Sequence, residues 1–214
     1  MPSLRLLVVG ASQGTGALTV SAALARGHQV TAFSRSPQKL TLEHASLTRR
    51  AGSFHDAAAV DAAVVGHDAV IITAAPSSFA GFKENPNYFS AGTALVVEAM
   101  KRHGVPRLVV LSSLGTGDSR VLRGWFIRTL LLDRLLKLPT QDHGRQEALT
   151  RASGLEWVIA RPGRLTPGPA RGRYVKRAEL APVPGSISRA DVADFLVTAA
   201  DSDDWVGKAV QLGG

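Results

Sequence analysis

The stretch from Leu4 to Gly16, LRLLVVGASQGTG, constrains the fold of this 214-residue chain more than any other. Its apolar run ends at Gly10, and further glycines follow at positions 14 and 16. An unbroken apolar run is typical of a strand that is covered on both faces, as in a parallel sheet. The segment from Gly14 has no proline and is predicted to be a helix that stops at Gly27. The sequence therefore predicts a buried strand, a glycine-rich turn and a helix in direct succession.

A turn of this kind directs backbone N–H groups and the positive end of a helix dipole at one point, which favours a phosphate group. The glycine spacing differs from the common G-x-G-x-x-G fingerprint, because Thr19 stands where the last glycine would fall. A Walker loop is disfavoured, because no Lys-Ser or Lys-Thr pair follows the glycines. We expect the turn to bind a dinucleotide phosphate through Gly10, Ser12, Gln13, Gly14, Thr15 and Gly16.

The end of the second predicted strand, His28 to Phe33, indicates which dinucleotide binds. In such a site a residue about 20 positions after the glycines meets the adenosine ribose, and an acid there accepts a hydrogen bond from the 2′-hydroxyl of NAD. Here the strand is followed by Ser34 and Arg35, with no acid. Arg35 offers a planar cation that suits a 2′-phosphate, and Ser34 offers a hydroxyl. The sequence therefore favours NADP over NAD as the cofactor.

Strands and helices continue to alternate along the chain. Further strands are predicted at 47–52, 68–74, 107–113, 155–160 and 208–212, and Asp56 and Ser188 are predicted to cap two of the intervening helices. This alternation predicts an α/β fold with a doubly wound, Rossmann-type parallel sheet and a ligand crevice at the carboxyl ends of the strands. The length fits one domain that spans residues 1–214.

Several residues at the predicted strand ends extend the cofactor site. Ser53 and Phe54 lie where an adenine would be placed, and the small residues Ala74 and Ala75 leave room for the cofactor to pass. We also assign Ser112 and Pro162, which follow later strands, to the cofactor-binding set. Arg161-Pro162-Gly163 is interpreted as a turn.

Two segments are predicted to lie outside the regular crossovers. Residues 115–140 alternate bulky apolar residues such as Trp125 with arginines, a pattern that leaves open an ordinary amphipathic helix, a lid or a membrane-surface segment. Residues 164–187 have no apolar period and are interpreted as a substrate-facing loop that serves as a second lid segment.

The composition excludes several classes of protein. The net charge is +8, but the basic residues are scattered and only 6% of residues are aromatic, so we expect no nucleic-acid partner and attribute the charge to an anionic cofactor or substrate. The absence of cysteine excludes thiolate chemistry, and the six histidines have no ligand spacing, so we expect no metal. No apolar run approaches the ~20 residues of a membrane span. We expect a soluble, cytoplasmic protein with a small-molecule acceptor and no membrane partner, and the oligomeric state is left open.

Together these motifs resemble the short-chain dehydrogenase/reductase superfamily, and in particular its atypical branch, which includes biliverdin-IX-beta (flavin) reductases and NmrA-like proteins. The resemblance spans nearly the whole chain. It rests on VVGASQGTG, the arginine-bearing end of the second strand, DAVIITA, LVVLSS, DHGRQEALTRASGLEWVIARPG and ISRADVADFL. It implies an NAD(P)-binding Rossmann fold, which hosts many chemistries.

The chain departs from most of this superfamily because it lacks the Tyr-x-x-x-Lys pair. The two tyrosines are Tyr88 and Tyr174, and positions 92 and 178 are glycine and alanine. The flavin-reductase group also lacks the pair. The resemblance places Ser113 at the position of that group's site serine and His143 in its Asp-His segment, and these two are the predicted catalytic residues.

Three functions are compatible with these features to different degrees. The sequence favours an NADP-dependent oxidoreductase that passes hydride from NADPH to a flat acceptor such as a flavin, quinone or bilin, with the cofactor carrying the hydride chemistry. The main alternative is a non-catalytic NADP-binding sensor of the NmrA-like type. A sugar-nucleotide epimerase is disfavoured by the missing tyrosine and lysine.

Overall fold

The computed structural model describes residues 3–122 and 136–214. The strands within these ranges are β1 (Arg5–Val9), β2 (Gln29–Ser34), β3 (Leu47–Ala51), β4 (Ala69–Ile72), β5 (Arg107–Leu111), β6 (Glu156–Pro162), β7 (Arg164–Thr166), β8 (Val175–Arg177), β9 (Ser186–Ser188) and β10 (Lys208–Gly213). The helices there are α1 (Gly14–Ala25), α2 (Ala57–Val64), α3 (Gly81–Glu84), α4 (Tyr88–His103), α5 (Lys137–Arg151) and α6 (Arg189–Asp201).

Eight of the described strands form one sheet in the order β3-β2-β1-β4-β5-β6-β10-β8. All neighbouring pairs in it are parallel except β10 and β8, which are antiparallel. The winding reverses at β1, since β2 and β3 lie on one side of it and β4 to β6 on the other. The predicted doubly wound, Rossmann-type α/β fold is therefore confirmed.

The apolar run of β1 is explained by helices on both faces of the sheet. Leu6 and Val8 belong to the core under α1 and α6, whereas Leu7 and Val9 belong to the core under α2, α4 and α5. All four side chains are at most 1% exposed. Because successive side chains of a strand point to opposite faces, a strand between two helix layers must be apolar throughout.

Helix α6 packs against α1 on one face of the sheet. As predicted, Ser188 caps α6: its Oγ accepts a hydrogen bond from Asp191 N at 3.0 Å. Asp191 is itself buried, and its Oδ1 accepts from the backbone N–H groups of Arg171 at 2.8 Å and Gly172 at 3.0 Å. One buried carboxylate thus joins the end of the sheet, the 171–172 segment and the beginning of α6.

The structure corrects the sequence analysis between residues 137 and 188. Residues 161 and 162 do not form a turn, because β6 continues through Pro162 and pairs with β10. The segment 164–187 is not a plain loop: β7 pairs with β9, and β8 forms an edge of the main sheet. Helix α5 begins at Lys137 rather than at Gln141. Residues 117–122 form a 3-10 turn, and most of the predicted amphipathic segment, residues 123–135, lies outside the described residues.

A buried ionic network holds the carboxyl ends of β5 and β6 to α5. The side chains of Arg161 and Glu147 are only 1% and 3% exposed. They are joined by Nε to Oε1 at 3.0 Å and Nη2 to Oε2 at 2.5 Å. Ser112 Oγ donates to Glu147 Oε1 at 2.6 Å, and Arg161 Nη2 also contacts Asp118 Oδ1 at 2.5 Å. β5, β6, α5 and the 3-10 turn are therefore tied together by one buried carboxylate.

Removing that carboxylate charge should destabilise the protein strongly. Glu147→Gln leaves a buried guanidinium without its principal partner, and we expect the free energy of unfolding to fall by about 3 kcal/mol or more. The control is Glu98→Gln, which removes an exposed carboxylate paired with Lys101 at 3.9 Å and should cost less than about 1 kcal/mol. Urea denaturation of both variants and the parent measures the difference. Equal losses in the two variants would contradict the role assigned to the network.

Candidate functional site

A cavity of about 680 Å³ opens at the carboxyl ends of the parallel strands, around the turn between β1 and α1. It extends from Gly52, after β3, to Leu111, at the end of β5. These strands are four places apart in the sheet, so at about 4.8 Å per strand the cavity crosses about 19 Å of sheet. An elongated cavity of this kind, at the point where the winding reverses, is where doubly wound folds bind ligands.

Most of the predicted cofactor-binding residues line this cavity. They are Gly10, Ser12, Gln13, Gly14, Thr15, Gly16, Ser34, Arg35, Ser53, Phe54, Ala74 and Ala75. The structure therefore brings together residues that lie up to 65 positions apart in the sequence, and their role in binding a cofactor stays a prediction.

The glycines of the turn are required by close backbone contacts. Gly10 has φ +89°, and a Cβ there would lie 2.5 Å from the backbone of Ala74 in the neighbouring segment. A Cβ on Gly16 would lie 2.2 Å from Gly10 O. The first turn of α1 has no capping side chain, because the side chain of Gln13 makes no cap hydrogen bond. The turn thus places uncapped helix N–H groups and a bare backbone beside the cavity, which suits an anion.

Positive side chains gather where β2 ends. Arg35 and Lys39 line the cavity there together with Ser34 and Ser36. Ser34 Oγ is buried and has no hydrogen-bond partner in the described part of the chain. Lys39 was missed in the sequence analysis, although a second basic residue four positions after Arg35 was a usable signal. This end of the cavity can hold a group with several anionic oxygens.

An aromatic wall of Phe54, His55 and Tyr88 forms the adjoining side of the cavity. The His55 and Tyr88 rings meet edge to face with centroids 4.5 Å apart, and the Phe54 and His55 rings are 5.2 Å apart. Burial, with a contribution from the Arg35 charge, lowers the pKa of His55. His55 Nε2 is buried without a hydrogen-bond partner among the described residues. A planar base bound here would meet aromatic surface and a neutral imidazole nitrogen.

The structure gives a steric reason for the missing lysine. Position 92 lies one helical turn after Tyr88, and a Cβ on Gly92 would lie 2.3 Å from the Phe54 ring. A lysine four residues after Tyr88 would therefore require the ring of Phe54 to move. The Tyr88 hydroxyl donates to Ala75 O at 3.3 Å, and burial raises its pKa, so it is a poor proton donor to a ligand. Tyr174 bonds Asp194 Oδ2 at 2.8 Å and does not line the cavity.

Four predicted site residues do not line the cavity. The side chain of Ser112 is directed to Glu147, and Pro162 is buried within β6. Ser113 is half-buried, and its Oγ lies 3.4 Å from Leu114 O. His143 lies in the second turn of α5 rather than at its start, and its ring stacks on Phe89 at 3.8 Å. The catalytic roles of Ser113 and His143 stay predictions, because the structure places neither at the wall of the cavity.

His143 belongs to the contact between α4 and α5. Its Nδ1 lies 2.9 Å from Gln146 Oε1. The preceding residue, Asp142, is fully buried and accepts hydrogen bonds from Phe89 N at 2.6 Å and from Ser90 Oγ at 2.5 Å, so it holds the first turn of α4. Burial lowers the pKa of His143. In this position the pair supports the helix that carries Tyr88.

The lowered pKa of His143 predicts a pH dependence of stability. Its imidazole stays neutral in the folded protein at pH values where the unfolded chain, with a pKa near 6.5, already binds a proton. The free energy of unfolding should therefore fall as the pH drops below about 6.5, by up to about 1.4 kcal/mol per pH unit from this residue, until the folded pKa is reached. His143→Phe keeps the stacking and should flatten this decline in urea titrations, whereas the exposed control His44→Phe should not. A parent-like slope in His143→Phe would refute the assignment.

The strand order, the glycine turn and the cavity define a Rossmann-type nucleotide-binding protein. The chain belongs to the NAD(P)H-binding family, whose model matches residues 10–203. The family and fold expected from the resemblance to short-chain dehydrogenases/reductases are thereby confirmed. Within the described ranges, no helix is long and apolar enough to cross a membrane, and no three potential metal-ligating side chains cluster together.

Individual relatives are similar over almost their whole lengths. A curated protein of Bacillus subtilis (strain 168), an uncharacterized sugar epimerase named YhfK, is 28% identical over 194 residues, which are 86% of this chain and 82% of that protein. A wide-type short-chain dehydrogenase/reductase from Veillonella parvula, solved in complex with NADP, superposes with a TM-score of 0.83 at 18% identity and covers 100% of this chain and 95% of its own. ChuY, an anaerobilin reductase from Escherichia coli O157:H7, gives 0.81 at 23% identity, over 98% and 96%.

Proposed function

We propose that this protein is an NADPH-dependent reductase that transfers hydride to a flat small-molecule acceptor such as a flavin, a quinone or a bilin. The observation that carries the proposal is the charge of the cavity. Arg35, Lys39 and Arg189 line it, and no Asp or Glu is found among the described residues of its wall. The three cationic side chains have no ion-pair partner within residues 3–122 and 136–214. A cavity with separated, unpaired cations fits a ligand with separated anionic groups.

The residues present fit NADPH along its length. Arg35 and Lys39, with the hydroxyls of Ser34 and Ser36, offer charge-assisted hydrogen bonds to a 2′-phosphate. The uncapped first turn of α1 offers backbone N–H groups to the pyrophosphate. The aromatic wall formed by Phe54, His55 and Tyr88 offers a surface for the adenine. NAD would leave the cations at the end of β2 without a partner, since they have no carboxylate beside them.

The acceptor end of the cavity combines apolar side chains with the cation of Arg189. Leu111 and Leu165 line it, from β5 and β7. NADPH, when bound, supplies the hydride, so the chain needs to hold two flat rings against each other and to exclude water. Protons for the reduced acceptor come from solvent, with Ser113 and His143 as the predicted contributors. We further propose that the acceptor is a small molecule and that the protein is cytoplasmic. The same proposal includes no nucleic-acid partner and no membrane partner.

The names of the relatives point to two different chemistries. The anaerobilin reductase supports a flat tetrapyrrole-like acceptor, because the fold is shared along nearly the whole chain. The name of the Bacillus relative suggests sugar epimerisation. That chemistry is disfavoured here, because Tyr88 is bonded to Ala75 O and a lysine four residues later would require the ring of Phe54 to move.

A non-catalytic NADP sensor is the second candidate. It is favoured by one observation, which is that the dinucleotide end of the cavity has its cations, hydroxyls and glycines in place while Ser113 and His143 lie outside the cavity wall. Such a protein would bind NADPH tightly and would not oxidise it, whichever acceptor is added.

The choice of cofactor is tested at Arg35. Arg35→Ala removes charge-assisted hydrogen bonds worth about 1.5–3 kcal/mol, so we expect the Kd for NADPH to rise about ten- to a hundredfold and the Kd for NADH to stay constant. Arg50→Ala is the matched control, because Arg50 is an exposed arginine of β3 outside the cavity. Fluorescence titration with both nucleotides measures the change. Equal affinity of the parent for NADPH and NADH would overturn the assignment.

Turnover separates the reductase from the sensor. We expect steady oxidation of NADPH when a flavin, a quinone or a bilin is added to the parent protein. Ser113→Ala and His143→Ala should each lower kcat about 10²-fold or less, because hydride transfer dominates and water can supply the proton, and Tyr88→Phe should change it only a fewfold. Tight binding of NADPH without oxidation by any of these acceptors would support the sensor instead.

A further inference from the structure

The side chain of Arg189 lines the cavity at the end away from Arg35. Arg189 is the first residue of α6, which packs against α1 and lies over β4, β5 and β6. Its neighbours in the cavity wall include Leu111 and Leu165, which come from β5 and β7. Arg35 follows β2, and β2 lies three places from β5 in the sheet, which is about 14 Å. The two arginines therefore serve different parts of the cavity.

Among the described residues, most half-buried or buried arginines have a carboxylate partner, but Arg189 has none there. Arg107 contacts Glu156 at 2.9 Å, and Arg161 contacts Glu147 at 2.5 Å. Arg189 is half-buried and forms no hydrogen bond or ion pair through its side chain with the described part of the chain. The nearby carboxylate of Asp191 is already occupied by Ser188 and by the amides of the 171–172 segment. Within the described ranges, the Arg189 charge is therefore not compensated by a carboxylate.

The position of Arg189 also has a cost in helix stability. A cation in the first turn of a helix lies at the positive end of the helix dipole, where its charge is unfavourable. An anion bound beside Arg189 would relieve both the unfavourable placement and the missing partner.

We propose that Arg189 forms a second anion-binding site in the cavity, separate from the Arg35 and Lys39 cluster, which takes a phosphate or carboxylate on the β5 side. The planar guanidinium offers two parallel N–H donors to such a group. The anion has two sources, the pyrophosphate of NADPH or an acidic group of the acceptor held next to Leu111 and Leu165. The second source rests on the proposed function and would restrict the acceptor to acidic molecules, such as phosphorylated flavins, over neutral quinones.

The dinucleotide source is tested by binding alone. The parent, Arg189→Ala, Arg189→Lys and the control Arg177→Ala, which removes an exposed arginine of β8 outside the cavity, are titrated with 2′-AMP and with NADP⁺ in a calorimeter. If Arg189 binds the pyrophosphate, the Kd for NADP⁺ rises about ten- to a hundredfold in Arg189→Ala and less in Arg189→Lys. The Kd for 2′-AMP, which has only the 2′-phosphate, stays constant. An equal loss for both nucleotides would show that the Arg189 site is not separate and would overturn the proposal.

The acceptor source is tested with two flavins that share one ring system. Flavin fluorescence is titrated with NADP⁺-loaded protein, using FMN, which carries a phosphate, and riboflavin, which does not. If Arg189 binds the acceptor, Arg189→Ala weakens FMN binding about tenfold or more, while riboflavin binding and the Kd for NADP⁺ do not change. Unchanged NADP⁺ affinity together with an unchanged ratio of FMN to riboflavin affinity would overturn the proposal. NADPH oxidation is measured separately, so a protein that binds these ligands without turnover refutes the reductase function and leaves the Arg189 result standing.

Discussion

The close approach of the β1–α1 turn to the segment after β4 determines how the rest of the site is arranged. At Gly10 and Gly16 the backbone leaves no room for a side chain, because Ala74 and Gly10 O occupy that space. The turn therefore packs closely against the carboxyl ends of β1 and β4, and the first turn of α1 lines the cavity next to it. Every other part of the cavity wall is placed relative to this contact, since β2, β4 and β5 are registered on β1 through the parallel sheet.

The distribution of charge follows from this geometry. Buried carboxylates are present close to the site, but each is used within the protein: Glu147 by Arg161 and Ser112, Asp142 by the start of α4, and Asp191 by the start of α6. The cations of the cavity wall have no such partners in the part of the chain that the structure describes. Pairing the structural charges inward and leaving the ligand-facing charges unpaired gives the cavity a positive field that attracts an anionic nucleotide.

Much of the fold and of the dinucleotide end of the cavity could be predicted from the sequence, because both depend on residues that are close together in the chain. The apolar run before Gly10, the glycine spacing and the arginine after β2 are contiguous signals, and the strands they imply are the ones observed. The errors lie where distant residues decide the structure. Arg161 lies buried in β6, where a glutamate of α5 pairs with it, and the short strands β7 and β9 pair residues that are 22 positions apart in the sequence.

The same distinction explains the site residues that were missed. Three residues line the cavity because of how their elements pack beside it: His55 in the turn after β3, Tyr88 in α4 and Arg189 in α6. No spacing pattern in the sequence predicts this packing. Ser112 was assigned to the cofactor site because it follows β5, but alternation along the chain turns its side chain toward α5, where Glu147 accepts its hydroxyl. A strand end in the sequence thus predicts proximity to the crevice, and it does not predict which side of the sheet a given side chain faces.

The packing of Phe54 on Gly92 also bears on how this chain can change over evolutionary time. A lysine at position 92 would need the ring of Phe54 to leave its place between α4 and the turn after β3, and that ring is only 5% exposed. A single substitution at position 92 is therefore not enough to create a tyrosine–lysine pair with Tyr88. A lysine at position 92 and a smaller residue at position 54 would have to be introduced together. The lysine alone would clash with the Phe54 ring, and the smaller residue alone would leave a void. The packing of the core therefore keeps position 92 small for as long as Phe54 occupies its present place.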